Sequence, residues 1–121
     1  MLNVSPYIVV DDVKESLQYY QGIFGGEIHI LNEQQQRVLH AELHLGESFL
    51  HFSDTYGRTP KSENLRLMMQ FDREEELQAV YEALKADGEV LVELQDTFFG
   101  ALHGQVKDRK NGVIWVLNYM K

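Results

Sequence analysis

The sequence predicts an α+β fold made of two βαβββ modules, and three features carry that prediction. Val4–Val10 is an apolar, β-branched run that halts at Asp11-Asp12, where the hydrophobic period changes from two to about 3.6. Leu65–Phe71 halts in the same way at Asp72. Beyond each stop an amphipathic segment runs into a Gly-Glu pair, Gly26-Glu27 in the first half and Gly88-Glu89 in the second. Asp12 and Leu17 meet Asp72 and Leu77 at one offset, and the Gly-Glu pairs meet two residues later.

Val13, Leu17, Tyr20 and Phe24 fall on one helical face, and Asp12 with Glu15 three residues on makes a capping-box-like start. Gly25-Gly26 ends this helix. Gly26–Leu31 predicts a strand, Asn32–Arg37 a polar hairpin loop, Val38–Leu45 a strand, Gly46-Glu47 a two-residue turn of the Gly-X kind, and Ser48–Ser53 the antiparallel return. Asp54–Asn64 holds Gly57 and Pro60, has no apolar period, and reads as the connection between halves. This places module one at 1–54, a linker at 55–63 and module two at 64–121, all within one domain. In module two, Leu65–Phe71 is the first strand, Asp72 with Glu75 caps a helix over Arg73–Ala86, and Leu77, Val80, Tyr81 and Leu84 form its buried face. Strands over Glu89–Leu94, Ala101–Lys107 and Val113–Met120 come next, with a loop at Gln95–Gly100 and a turn at Asp108–Gly112. Trp115 alternates with Ile114 and Val116 and is expected in the core.

At 121 residues the chain suits one compact domain, too short for two independently stable halves. It has no cysteine, so disulfides, a thiol nucleophile and thiolate metal ligation are excluded. The net charge of −8 argues against a nucleic-acid partner and weakly favours a cationic ligand. No basic segment leads into an apolar stretch at the N-terminus, and no apolar run has the length of a membrane span. A cytoplasmic protein with no membrane partner is expected. A dinucleotide or nucleotide phosphate loop and a Gly-x-Ser-x-Gly elbow are also missing.

The turn at Gly46-Glu47 sets a register in which Leu45 faces Ser48, His44 faces Phe49, Leu43 faces Leu50, Glu42 faces His51, Ala41 faces Phe52 and His40 faces Ser53. Side chains alternate across a strand. Leu39, Ala41, Leu43, Leu45, Leu50 and Phe52 therefore form a core face. His40, Glu42, His44, Phe49, His51 and Ser53 form the opposite one. Two readings of that second face stand open. It is a solvated outer surface, as antiparallel sheets commonly have, or it is a pocket wall in which imidazoles and a carboxylate bind a ligand or move a proton. Histidines two apart on one strand lie about 7 Å apart, but the pattern is no specific metal signature. Should a metal bind, His51 with Glu42 or His44 would hold it; no cofactor is expected. In module two, Leu65, Leu67, Met69 and Phe71 suit a core. Arg66 and Gln70 lie on the polar side, Arg66 as a bidentate partner for a carboxylate or as an ion-paired surface residue. Phe98 and Phe99 lid a hydrophobic pocket or plug the sheet end.

With these turns, the duplicated plan resembles the vicinal oxygen chelate superfamily of glyoxalases, extradiol dioxygenases and bleomycin-resistance proteins, and more narrowly its PhnB-like branch. Pro6-Tyr7, Tyr20, Phe24–Glu27, His40–Leu43, Gly46 and Ser53-Asp54 carry the resemblance in the first half. Asp96–Gly100, Asp108, Gly112 and Trp115 carry it in the second. The resemblance implies a curved eight-stranded mixed sheet around a cup, helices on the convex side, a homodimer and a small-molecule ligand. Metal enzymes of the superfamily draw ligands from four strands, and here those slots fall on Ser5, His51, Arg66 and Val116, of which only His51 is an ordinary ligand. The expectation is a small-molecule binding protein without an obligatory metal, whose ligand is touched by His40, Glu42, His44, Phe49, His51, Arg66, Gln70 and Phe99. The alternative is a metal-dependent lyase or dioxygenase using the His/Glu hairpin.

Overall fold

The computed structural model describes residues 1–57 and 64–121. Its elements run β1 (Tyr7–Val10), α1 (Val13–Phe24), β2 (Glu27–Gln34), β3 (Arg37–Leu45), β4 (Ser48–Asp54), β5 (Leu67–Phe71), α2 (Glu74–Lys85), β6 (Glu89–Asp96), β7 (Ala101–Lys107) and β8 (Ile114–Met120). The fold is α+β, with βαβββ twice. Two compact units, Met1–Lys61 and Ser62–Lys121, each hold one mixed sheet. The strand orders are β1-β4-β3-β2 and β5-β8-β7-β6. In each, the first strand runs parallel to the last and the other pairs are antiparallel. Most of the linker expected at 55–63 lies outside the described residues. Among the described residues no helix is long and apolar enough to cross a membrane.

In the first unit, the Asp12 side chain accepts the Glu15 amide at 3.0 Å, so the expected cap forms. Helix α1 buries Val13, Leu17 and Tyr20 against β3 and β4, and Tyr20 stacks on Phe52 with ring centroids 5.4 Å apart. Gly26 then brings the chain back so close to β3 that an added Cβ would lie 2.4 Å from the His44 carbonyl oxygen, at a φ of 78–90° over Gly25-Gly26. Only glycine fits such an approach. The β3–β4 pairing is the expected one at all six positions, from Leu45 with Ser48 to His40 with Ser53. Gly46, with a φ of 59°, makes the reversal. Ala41, Leu43, Leu50 and Phe52 are buried as expected.

Two expectations for this unit are corrected. The polar run Asn32–Arg37 is not a loop: β2 extends to Gln34, and Gln35-Gln36, at φ 50° and 66°, form a two-residue turn. Both residues take positive φ, the geometry that matches the twist of a tight hairpin. Leu39 is only half-buried while Val38 is in the core. The β2–β3 ladder is irregular around Leu31 and Leu39, and the extra residue shifts the inward phase by one.

In the second unit, α2 buries Leu77, Val80, Tyr81 and Leu84, the four expected positions. Its cap is different. The N-cap is Arg73, which makes no side-chain cap bond, and Asp72 lies outside the helix. Glu74, Glu75 and Glu76 in the first turn complement the helix dipole instead. Trp115 is fully buried, as expected, and its Nε1–H donates to Asp108 Oδ2 at 2.8 Å. The other oxygen of Asp108 accepts the Asn111 and Gly112 amides at 2.7 and 3.2 Å, which closes the β7–β8 turn on the core. Strands β1 and β5 begin later than expected, leaving Val4 and Leu65 exposed.

Arg37, at the start of β3, donates to the Asp11 carbonyl at 2.9 Å and to Asp54 Oδ1. It thereby joins three strands at one end of the sheet. The Tyr56 amide and the Arg37 guanidinium hold the Asp54 carboxyl below the ordinary value of 3.8. A depressed folded-state pKa contributes stability at neutral pH that is lost as pH falls through it. Urea unfolding between about pH 5 and pH 3 should thus show a shallower loss of stability in Asp54→Asn than in the native chain. At neutral pH, Asp12→Ala should lose about 1 kcal/mol, while Asp72→Ala should change unfolding little.

Candidate functional site

The face of the first sheet turned away from α1 collects ionisable and aromatic side chains by strand alternation. Tyr7, His51, Glu42 and His29 are direct neighbours across β1, β4, β3 and β2, and so form one transverse row. Phe49, His44 and Glu27 form the row beside it, and His40, paired with Ser53, stands on the other side. Glu42 is at the centre. Its Oε1 lies 2.8 Å from His44 Nε2 and its Oε2 lies 3.5 Å from His51 Nδ1. His40 Nε2 lies 3.3 Å from that same His51 nitrogen.

Rings pack against the imidazole neighbours of Glu42. Phe49 stacks on His44 at 5.1 Å and meets His51 edge-on at 5.2 Å. Tyr7 stacks on His51 at 6.1 Å and meets His40 edge-on at 5.4 Å. His29 lies 4.0 Å from His44, centroid to centroid, and its Nε2 reaches Glu27 at 3.1 Å. The Glu42 side chain keeps 18% of its surface exposed. The hydrogen bond from His44 holds its carboxyl below the ordinary value of 4.5 against the opposing effect of desolvation, with the charges of His51, His44 and His29 acting the same way. Glu42 is therefore an anion at neutral pH, set in an aromatic and imidazole surround.

Of the eight residues expected to touch a ligand, the first unit brings His40, Glu42, His44, Phe49 and His51 together. Arg66, Gln70 and Phe99 belong to the second unit. Gln70 accepts from Asn118 Nδ2 at 3.0 Å, Arg66 donates to Gln105 Oε1, and Phe99 lies half-exposed with its ring 6.2 Å from that of His103. Phe98 is fully exposed. Reasoning from the sequence missed the part played by Tyr7, and missed His29 altogether. The signal for His29 was the alternation of β2, hidden once Asn32–Arg37 was read as a loop, because without the two-residue turn the β2 register is undefined. His103, Gln105 and Asn118, which share one face of β7 and β8, were also missed.

The sequence profile of the Glyoxalase/Bleomycin resistance protein/Dioxygenase superfamily matches residues 3–117. The chain belongs to that superfamily. Among solved structures it is similar to protein PA1353 from Pseudomonas aeruginosa, at 24% identity and a TM-score of 0.85 over 99% of this chain and 98% of that one. It is also similar to the PhnB protein from Bacillus cereus, at 22% identity and a TM-score of 0.78 over 97% and 98%. A third similar structure is a glyoxalase/bleomycin resistance protein/dioxygenase family enzyme from Burkholderia phytofirmans, at 16% identity and a TM-score of 0.72 over 95% of each chain. These likenesses show the fold. No curated protein matches the chain.

The metal slots the superfamily implies do not fit an ion here. Val116 offers no donor and is buried, Arg66 is a cation already bonded to Gln105, and the Ser5 hydroxyl bonds to Asn3. A metal needs about three good ligands, and this set has only His51. Among the described residues no three His, Asp or Glu side chains are disposed to hold an ion elsewhere. The electrostatics of the cluster are testable directly. In a carbon-13 NMR titration of side-chain carboxylates, Glu42 should titrate below 4.5 and move up towards that value in His44→Ala.

Proposed function

We propose that this chain is a small-molecule binding protein of the glyoxalase/bleomycin-resistance type, PhnB-like, acting in the cytoplasm as a homodimer without an obligatory metal. The observation that carries the reading is Glu42: an ionised carboxylate, partly withdrawn from water, beside His44 and His51, which are themselves packed by Phe49 and Tyr7. An anion so placed suits a cationic group on a planar or apolar body, which gains both charge pairing and ring contact. The net charge of −8 assists the approach of such a ligand. The damaged metal slots support a role in binding over metal chemistry. Exposed Ile30, Leu31, Met68 and Met120 are apolar surface of the kind a second copy would cover.

Calorimetry and thermal shift with cationic glycopeptides and with small carboxylates test the reading. A cationic glycopeptide should bind, and Glu42→Gln should weaken it by about tenfold or more. No response to either class would overturn the proposal. Light scattering should give the mass of two chains.

A second reading, a metal-dependent lyase or dioxygenase, starts from His40 Nε2 and His51 Nδ1, 3.3 Å apart beside Glu42, and needs these groups to rearrange around an ion, since among the described residues no three such side chains are disposed to hold one. It requires stoichiometric divalent metal after purification without chelators, lost in His51→Ala. Elemental analysis with no metal, and no uptake on titration, would end it.

A further inference from the structure

The turn between β7 and β8 holds the asparagine most open to chemical attack. Asn111 is followed by Gly112, whereas Asn3, Asn32, Asn64 and Asn118 precede Val4, Glu33, Leu65 and Tyr119. An asparagine side-chain amide can be attacked by the backbone nitrogen of the next residue, and a side chain on that residue hinders the approach. Glycine offers no hindrance. The turn nevertheless needs its glycine: Gly112 has a φ of 72°, in the left-handed region that a side chain disfavours. An added Cβ would meet Lys107 Cε at an ordinary 3.5 Å, so the requirement comes from the backbone angle and not from crowding.

The fold restrains the attacking nitrogen. The Gly112 N–H donates to two oxygens of Asp108, the backbone carbonyl at 3.1 Å and Oδ1 at 3.2 Å. Oδ1 also accepts the Asn111 N–H at 2.7 Å. Attack requires the Gly112 nitrogen to lose its proton and to swing towards Asn111 Cγ. Losing the proton breaks both bonds and leaves a nitrogen anion against two oxygens. Because Oδ1 ties two successive amides to one point, it also fixes the torsion between them. Asp108 is firmly held in turn. It is 2% exposed, its Oδ2 accepts the indole N–H of fully buried Trp115, and its own N–H donates to the Val113 carbonyl at 2.8 Å. Water is close at hand, since Asn111 and Gly112 are half-buried and Arg109 and Lys110 beside them are exposed.

We propose that Asn111 is a latent deamidation site and that Asp108 is the latch that keeps it shut. When the turn opens, the Gly112 nitrogen gives its proton to hydroxide and bonds to Asn111 Cγ. The Cγ–Nδ2 bond breaks, and ammonia leaves with a proton taken from water, which restores the hydroxide. Water then opens the five-membered imide at one of its two carbonyls. One product is an aspartate at position 111. The other is an isoaspartate, in which the main chain runs through the former side chain. Isoaspartate places an extra methylene between two amides that a single Asp108 oxygen holds, so the turn cannot close on Asp108 as before. The reaction needs only water, and it records how often the second unit loosens at this end.

The full chain is incubated in mildly alkaline buffer with and without unfolding guanidinium chloride, and each asparagine is followed by peptide mass spectrometry. In the unfolded chain Asn111 should convert ahead of Asn3, Asn32, Asn64 and Asn118. In the folded chain it should keep its amide about tenfold longer or more, because reaction waits on local opening. Through sub-denaturing guanidinium, hydrogen exchange of the Gly112 N–H and loss of the Asn111 amide should rise in step. Asp108→Ala removes the Oδ1 acceptor and should bring the folded-state rate towards the unfolded one; should this variant not fold, the guanidinium series on the native chain decides. Trp115 is the chain's single tryptophan, and its indole N–H resonance should move in molecules that carry isoaspartate. Equal lifetimes of Asn111 in the folded and unfolded chain would overturn the proposal, as would an unfolded chain in which Asn111 does not lead. Amide loss that stays flat while Gly112 exchange rises, a folded Asp108→Ala with an unchanged Asn111 lifetime, or an unmoved Trp115 signal in the isoaspartyl chain would also count against the latch.

Discussion

The reversal at Gly46-Glu47 is the constraint on which the first unit depends. A two-residue turn admits one register, and strand alternation then sends every side chain of β3 and β4 to a fixed side. Leu43 and Leu50 go under α1 together, and Glu42 and His51 go to the opposite face together. A slip of one residue would exchange these sets. It would expose Leu43, Leu50 and Phe52 and bury a carboxylate with three imidazoles, a cost far larger than the turn itself could offset. The greasy face thus enforces the position of the polar one. Glu42 is where it is because Leu43 can be nowhere else.

That coupling explains which parts could be read from residues alone. The β3–β4 hairpin was legible at every pair, since its turn is short and its two faces differ sharply in polarity. Asp12 was legible as a cap because a polar stop directly precedes an apolar period. Asp72 looked the same in sequence yet does not cap; Arg73 takes the position, and three glutamates make a side-chain cap dispensable. The β2–β3 ribbon was illegible for a different reason. Asn32–Gln36 is polar on both faces because both faces are wet there, so no alternation marks it. Its turn uses Gln35-Gln36 at positive φ, where glycine or asparagine is the usual signal. Missing that ribbon hid His29.

The second unit shows a limit of another kind. Arg66 and Gln70 were visible as polar members of an alternating strand, but their partners lie tens of residues away on β7 and β8. A row such as Arg66–Gln105–His103–Asn118–Gln70 is set by sheet order, with β8 between β5 and β7. Nothing local in any one strand announces it.

The shared sheet order also puts the two units in correspondence, position by position. Tyr7, His51 and Glu42 form a transverse row in the first unit, and Met68, Val116 and Gln105 form the corresponding row in the second. The next row pairs His40 with Ser53 and, correspondingly, His103 with Asn118. One histidine is kept at the same place in both. Around it the chemistry has divided: glutamate stands where the other unit has glutamine, and an imidazole where it has valine. The first sheet consequently gathers a carboxylate and imidazoles. The second gathers neutral amides and a single cation at the rim. Matching strand order with opposite electrostatic character is what a duplicated scaffold permits, because the core beneath each face is satisfied by alternation alone and leaves the outward residues free to diverge.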